Sequence, residues 1–89
     1  MFSIHFIVHS ISSRKSRVLE KNIKLLFYDR TKCNFFIKYS KYKGHSVELT
    51  KKSIKEKANV IVACGGDGTI NEVARNVVFS SIIFGIVPM

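Results

Sequence analysis

The stretch Val60-Ile61-Val62-Ala63-Cys64-Gly65-Gly66-Asp67-Gly68-Thr69-Ile70-Asn71-Glu72-Val73-Ala74 decides the fold. Its first five residues form an unbroken apolar run, as in a strand buried on both faces, and two glycines end that run abruptly. Beyond them, Ile70, Val73, Ala74, Val77 and Val78 follow the i, i+3, i+4, i+7, i+8 pattern of a helix lying on a sheet. The helix is predicted to begin at about Ile70. A buried strand that passes through glycines into an amphipathic helix is the opening half of a β-α-β unit.

The flanking sequence repeats this grammar. Downstream, Ile82 to Val87 is another apolar run, and Pro88 begins the loop after it. Upstream, Phe2 to Val8 is β-branched and aromatic, and the Ser-rich stretch from Ser10 to Ser16 follows it as a loop. From Ser16 to Tyr28 the residues Leu19, Ile23, Leu26 and Phe27 recur at helical spacing, with Arg17, Lys21 and Lys24 between them. Cys33 to Tyr39 is strand-like, Gly44 breaks the chain, and Val47 to Lys57 carries a weaker apolar face built from Val47, Ile54 and Ala58. The predicted order is β-α-β-α-β-α-β. It implies an α/β fold: an open parallel sheet with helices on both faces, joined by right-handed crossovers.

Length and composition fit one such unit. Eighty-nine residues make one domain or part of one, and 46% hydrophobic with 24% charged residues argue against both disorder and a membrane bundle. Fifteen Lys and Arg against six Asp and Glu give a net charge of +9, suited to polyanionic partners such as nucleotides or acidic lipid surfaces. Fourteen of the fifteen bases fall between Arg14 and Lys57, so the charge belongs to the first two thirds of the chain. Aromatic and basic residues interleave only around Tyr39 and Tyr42, too briefly to read as a nucleic-acid surface. Cys33 and Cys64 lack the paired spacing of a zinc site or a disulfide framework, which points to a reducing cytoplasm. No run approaches the roughly 20 apolar residues of a membrane span, so a lipid would be met at the surface.

The chemistry belongs to the glycine loop. In an open parallel sheet, ligands collect at the carboxyl ends of strands, where loops enter helix amino termini. Glycines let the backbone turn sharply there, and the free N–H groups of the first helical turn attract phosphate. Asp67 is the informative residue, because a carboxylate beside phosphates repels them unless a cation, a ligand hydroxyl or a backbone donor offsets its charge. The competing structural reading is a tight turn with Asp67 as helix cap and Thr69 as a simple N-cap residue. The chain has no Gly-x-x-x-x-Gly-Lys-Ser/Thr, which excludes a P-loop. A dinucleotide fingerprint would place its third glycine at Asn71, with a ribose-binding acid further on, and neither is present. His5 within its apolar strand reads as a core residue, and His45 begins or precedes a helix.

Gly65 to Val73 reads Gly-Gly-Asp-Gly-Thr-Ile-Asn-Glu-Val, which resembles the signature of the diacylglycerol kinase catalytic-domain family, including soluble bacterial lipid kinases and sphingosine kinases. The shorter Gly-Gly-Asp-Gly-Thr is shared with NAD kinases, and Asn71 and Glu72 separate the two. Three further segments agree in order. Lys43, Gly44 and His45 resemble the family's Lys-Gly-His segment, a few residues after Ser40, which stands at a nucleotide-contacting position that is usually threonine. Gly85 to Pro88 resembles its Gly-Ile-Ile-Pro, and His9, Ser10, Ile11, Ser12 and Ser13 stand where the family has Asn-Pro-x-Ser-Gly. His9 and Ser13 depart from that pattern.

The resemblance implies an ATP-binding portion of a lipid kinase that moves the γ-phosphoryl group of ATP, with Mg2+, to a diacylglycerol-like or sphingoid hydroxyl. By this resemblance Gly65, Gly66, Gly68 and Thr69 meet the phosphates, Asp67 organises the metal or the reacting hydroxyl, and Ile70, Asn71 and Glu72 fix the loop or meet the nucleotide. Ser40 and the loop His9, Ser10, Ile11, Ser12 and Ser13 complete the nucleotide side. No residue of the chain is expected to form a metal site alone. The resemblance also implies that residues 1–89 are the amino-terminal part of a two-domain enzyme, lacking a carboxyl-terminal β-sandwich that supplies metal ligands and the general base. A cytoplasmic protein that meets lipid at a membrane surface, and that could self-associate through its sheet edge, follows. A non-catalytic nucleotide-binding module or an inactive truncated product is the competing reading, and an NAD kinase is a third.

Overall fold

Strands form where the apolar runs are β-branched, and helices where the apolar spacing is three to four. A computed structural model describes residues 2–9, 14–26 and 33–89. Its elements are β1 (Phe2–His9), α1 (Arg14–Leu26), β2 (Cys33–Ser40), α2 (His45–Lys55), β3 (Val60–Gly65), α3 (Asp67–Val77) and β4 (Ile83–Pro88). All neighbouring strands are parallel, in the order β2-β1-β3-β4. The predicted α/β architecture is therefore the observed one.

Each strand's period of two divides its side chains between two cores. On one face, Ile7, Ile61 and Ala63 meet Val73 and Val77 of α3, with Leu49 and Ile54 of α2 packed against them. On the other, Phe6, Val8 and Cys64 meet Ile23 and Leu19 of α1. One helix on one face and two on the other is the distribution that right-handed crossovers require when the chain adds β2 to one side of β1 and then β3 and β4 to the other. Burial pushes the Cys64 thiol up to about 12, so it sits in the core as an inert apolar group.

The predicted elements differ from the observed ones at their ends. Residues 16–28 were expected to be helical; the helix runs Arg14–Leu26, and Phe27 and Tyr28 lie outside the described residues. Helix α2 starts at His45 rather than Val47, because Gly44 takes the left-handed conformation (φ 84°) and turns the chain directly into it. It stops at Lys55 because Lys57 adopts φ 63° and closes a Schellman turn, in which the N–H of Ala58 donates to the Ser53 oxygen and that of Lys57 to the Ile54 oxygen. Helix α3 begins at Asp67, three residues before the predicted start. Gly66 alone separates strand from helix, so most of the glycine loop is the helix's first turn.

Buried polar residues of this core are paired, as burial demands. His5, the expected core histidine, places Nδ1 2.8 Å from Ser53 Oγ; Lys38 Nζ donates to the same oxygen (2.9 Å) and to Glu56 Oε1 (2.6 Å). The His5 ring also packs on Phe36, at 4.8 Å between centroids. Burial first, and then Lys38, lowers the His5 pKa below its ordinary 6.5, against the opposing pull of Glu56. The folded chain thus binds fewer protons than the unfolded chain in acid, and stability falls as pH drops through 6.5. Urea denaturation followed by circular dichroism should show stability declining below pH 6.5, ahead of carboxylate titration. That limb should be absent in His5→Gln. An identical pH slope in the two proteins would show that His5 does not carry it.

Candidate functional site

The chain adds strands in opposite directions from β1 and β3, and α1 and α3 leave those two strands on opposite faces of the sheet. The carboxyl ends of β1 and β3 are therefore the topological switch point, where a crevice opens in folds of this class. His9 ends β1 and Gly65 ends β3. A Cβ at Gly65 would lie 3.0 Å from His9 Cβ and 3.1 Å from Thr69 Cβ, so a side chain here would press His9 and Thr69 apart by a few tenths of an ångström. Gly66 and Gly68 differ: a Cβ at either meets nothing within 4 Å, and neither has a positive φ. Their open space faces outward.

Above this junction lies a cleft of about 660 Å³ lined by His9, Ser40, the segment Lys41 to Gly44, Ser46, Gly68, Thr69 and Glu72. Two helices begin at it. Gly44 precedes α2 and Gly66 precedes α3, and neither terminus has a side-chain cap. In α3 the first intrahelical bond runs from the Ile70 N–H to the Gly66 oxygen (3.0 Å), which leaves the N–H groups of Asp67, Gly68 and Thr69 as the helix's unbonded donors. Two helix starts with their partial positive charge, together with Lys41 and Lys43, give the cleft a positive character, which the Glu72 carboxylate in the same lining partly offsets.

The cleft walls are braced. Ser46 Oγ, buried at the first turn of α2, donates to Glu72 Oε2 of α3 and so ties the two helices together. Lys41 N–H donates to His45 Nδ1 (2.9 Å), and the His45 ring stacks on Tyr42 at 4.2 Å and 6°. Tyr42 in turn donates to Glu48 Oε2, which raises the phenol pKa. The 41–44 turn is thereby held by its own side chains at the mouth of the cleft.

Of the residues expected from sequence, His9, Ser40, Gly68, Thr69 and Glu72 line this cleft together. Gly65 lies buried beneath it, and Gly66 and Asp67 are exposed at its edge. Asp67 is not the N-cap; Gly66 is, and the Asp67 carboxylate has no partner among the described residues. Ile70 packs its side chain on the α3-side core and commits its N–H to Gly66, so it supports the loop from below. Asn71 points to solvent one turn along, outside the cleft lining. Ser10, Ile11, Ser12 and Ser13 lie outside the described residues. Lys41, Tyr42 and Ser46 were not among the expected site residues, and Lys43 and Gly44 entered only as family markers. The signal for them was Gly44 itself, a glycine just before a helix and just after a strand end.

Geometry of this kind is that of an open parallel α/β fold with a glycine-built helix start at its switch point. The chain matches the family model of the diacylglycerol kinase catalytic domain over residues 3–89, and it belongs to that family. No curated protein matches it. The family's general activity is kinase-type phosphotransfer, for which ATP and Mg2+ are the usual cosubstrate and cation. Among the described residues, no helix is long and apolar enough to cross a membrane, and no three metal-ligating side chains come together.

The contrast among the glycines makes a direct test. Gly65→Ala should cost about 1–3 kcal/mol in chemical denaturation, as an overpacked contact does, whereas Gly68→Ala should leave stability within about 0.5 kcal/mol of wild type. Equal costs at the two positions would contradict the close approach of α3 to β1.

Proposed function

We propose that the cleft binds the phosphates of ATP together with Mg2+, and that the chain is the nucleotide-binding part of a lipid kinase that transfers the γ-phosphoryl group to a lipid hydroxyl. The observation that carries this reading is the trio of unbonded amides at Asp67, Gly68 and Thr69, opening at the switch point into a cleft flanked by Lys41 and Lys43. Those amides and the Thr69 hydroxyl donate to phosphate oxygens, and the two lysines offset the remaining charge. Phosphoryl transfer depends mainly on such positioning and charge stabilisation. The side chain of Ser40 and the segment from His9 through Ser13 complete the nucleotide side.

Asp67 is the residue whose role depends on a cation. Mg2+ is commonly held by one or two carboxylates plus substrate phosphates rather than by an all-protein cage. An exposed, unpartnered carboxylate on the first helical turn fits that donor set. The cation supplies charge neutralisation between Asp67 and the phosphates; the chain's own part is to hold that carboxylate beside the amides. The lipid partner is met at a membrane surface. A non-catalytic nucleotide-binding module would use the same cleft.

Calorimetric titration with ATP separates these roles by sign. With Mg2+ present, Asp67→Ala should bind ATP about tenfold to a hundredfold more weakly than wild type, the loss of one charge-assisted contact. With Mg2+ chelated, the same variant should bind ATP at least as well as wild type, because the carboxylate then only repels. Equal affinities under both conditions would remove Asp67 from the site, and tighter binding of NAD than of ATP would redirect the reading to an NAD kinase.

A further inference from the structure

Tyr42 stands at the mouth of the cleft with one face of its ring in use. His45 covers that face, at 4.2 Å between centroids and 6° between planes. Three bonds hold the pair: the His45 N–H donates to the Tyr42 carbonyl oxygen (3.0 Å), the Lys41 N–H to His45 Nδ1 (2.9 Å), and the Tyr42 hydroxyl to Glu48 Oε2. Bracing the 41–44 turn needs no more than these contacts. Yet Tyr42 is 59% exposed, so the ring face turned away from His45 is open, and the residue lines the cleft beside Lys41 and Lys43. Among the described residues it is the one phenyl or phenol ring in that lining. A ring already fixed along one face and at its hydroxyl gives up little conformational freedom when a ligand lies on the other face.

We propose that the open face of Tyr42 is the stacking platform for the base of the nucleoside triphosphate whose phosphates meet the α3 start. The proposal rests on the reading of the cleft as a triphosphate site, and it gives that site a means of telling a nucleotide from a bare polyphosphate. Phosphate oxygens gain nothing from an aromatic face, whereas every base has a π-face that stacks on one. The spacing suits a single ligand that meets both features. Tyr42 follows the end of β2 and the unbonded amides follow the end of β3, with β1 between them. At about 4.8 Å between neighbouring strands, those two ends are about 10 Å apart, a distance that an extended nucleotide spans from base to phosphates. The cleft of about 660 Å³ that joins them is of the size that holds a whole small-molecule ligand. A single-stranded nucleic acid would instead call for successive platforms, and this lining offers one.

The test compares magnesium-ATP with magnesium-tripolyphosphate, which has the phosphates without the base, in calorimetric titrations of the full chain. Wild type should bind ATP about tenfold more tightly than tripolyphosphate, the worth of one stacked base. Tyr42→Leu, with its fold verified by circular dichroism, should lose that advantage: ATP weakens about tenfold while tripolyphosphate binds as it does to wild type. Tyr42→Phe keeps the ring and should keep most of the preference for ATP. A second readout needs no variant, because base protons of ATP bound to wild type should move upfield in the ring current of the stacked tyrosine. Equal loss of both ligands in Tyr42→Leu would show that Tyr42 only braces the turn and would overturn the proposal. Unchanged ATP affinity in that variant, or base protons that do not move upfield, would overturn it as well. Tripolyphosphate bound by wild type as tightly as ATP would remove the platform and leave the phosphate cleft standing, whereas a wild type that binds neither would refute the cleft reading and this proposal with it.

Discussion

A single close contact governs this structure: the backbone of Gly65 passes beneath His9 and Thr69 so tightly that a Cβ would meet theirs at 3.0 and 3.1 Å. It fixes the separation of β1 from the first turn of α3, and so decides where the unbonded amides of that turn point. A side chain here would strain the first turn of the helix whose Val73 and Val77 side chains seal Ile61 and Ala63. Packing and site are therefore two consequences of one absent atom. The neighbouring glycines serve another purpose, because their missing Cβ atoms leave space toward solvent, where a ligand approaches, rather than toward protein.

The second support is the brace between α2 and α3. Ser46 reaches Glu72 across the base of the cleft, and the 41–44 turn is locked by its backbone bond to His45 and by the Tyr42 stack. Two helix starts thus face the same space in a fixed relation, which is what a polyphosphate with several charged oxygens requires. Electrostatics and packing agree at this edge of the sheet. The buried His5, Ser53 and Lys38 network lies away from the cleft lining, under α2, where it settles the helix on the strands without taking part in ligand contact.

Much of this was legible in the sequence because its signals are physical and local. The run Val60 to Cys64 could only be a buried strand, and the spacing of Val73 and Val77 could only face a sheet, so the alternating architecture followed. Glycines read as loop put the α3 start three residues too late, whereas Asp67, Gly68 and Thr69 tolerate helical geometry once Gly66 has made the turn. In the sequence Lys41 is only bulk charge and Lys43 only part of a family-like segment, because their place in one cleft with Thr69 depends on strand order, which brings the end of β2 to the crevice from a distant part of the sequence. Leu26 shows the opposite case: it fits a helical apolar period, yet it stands 78% exposed at the end of α1.

Backbone amide resonances report most directly on whether the α3 start receives a triphosphate. Titration of the isotopically labelled chain with magnesium-ATP should move the amides of Asp67, Gly68 and Thr69 most, with those of Lys41 to Gly44 next. Unmoved resonances at all of these positions, or the largest changes on α1, would contradict a phosphate cradle at the β3–α3 junction.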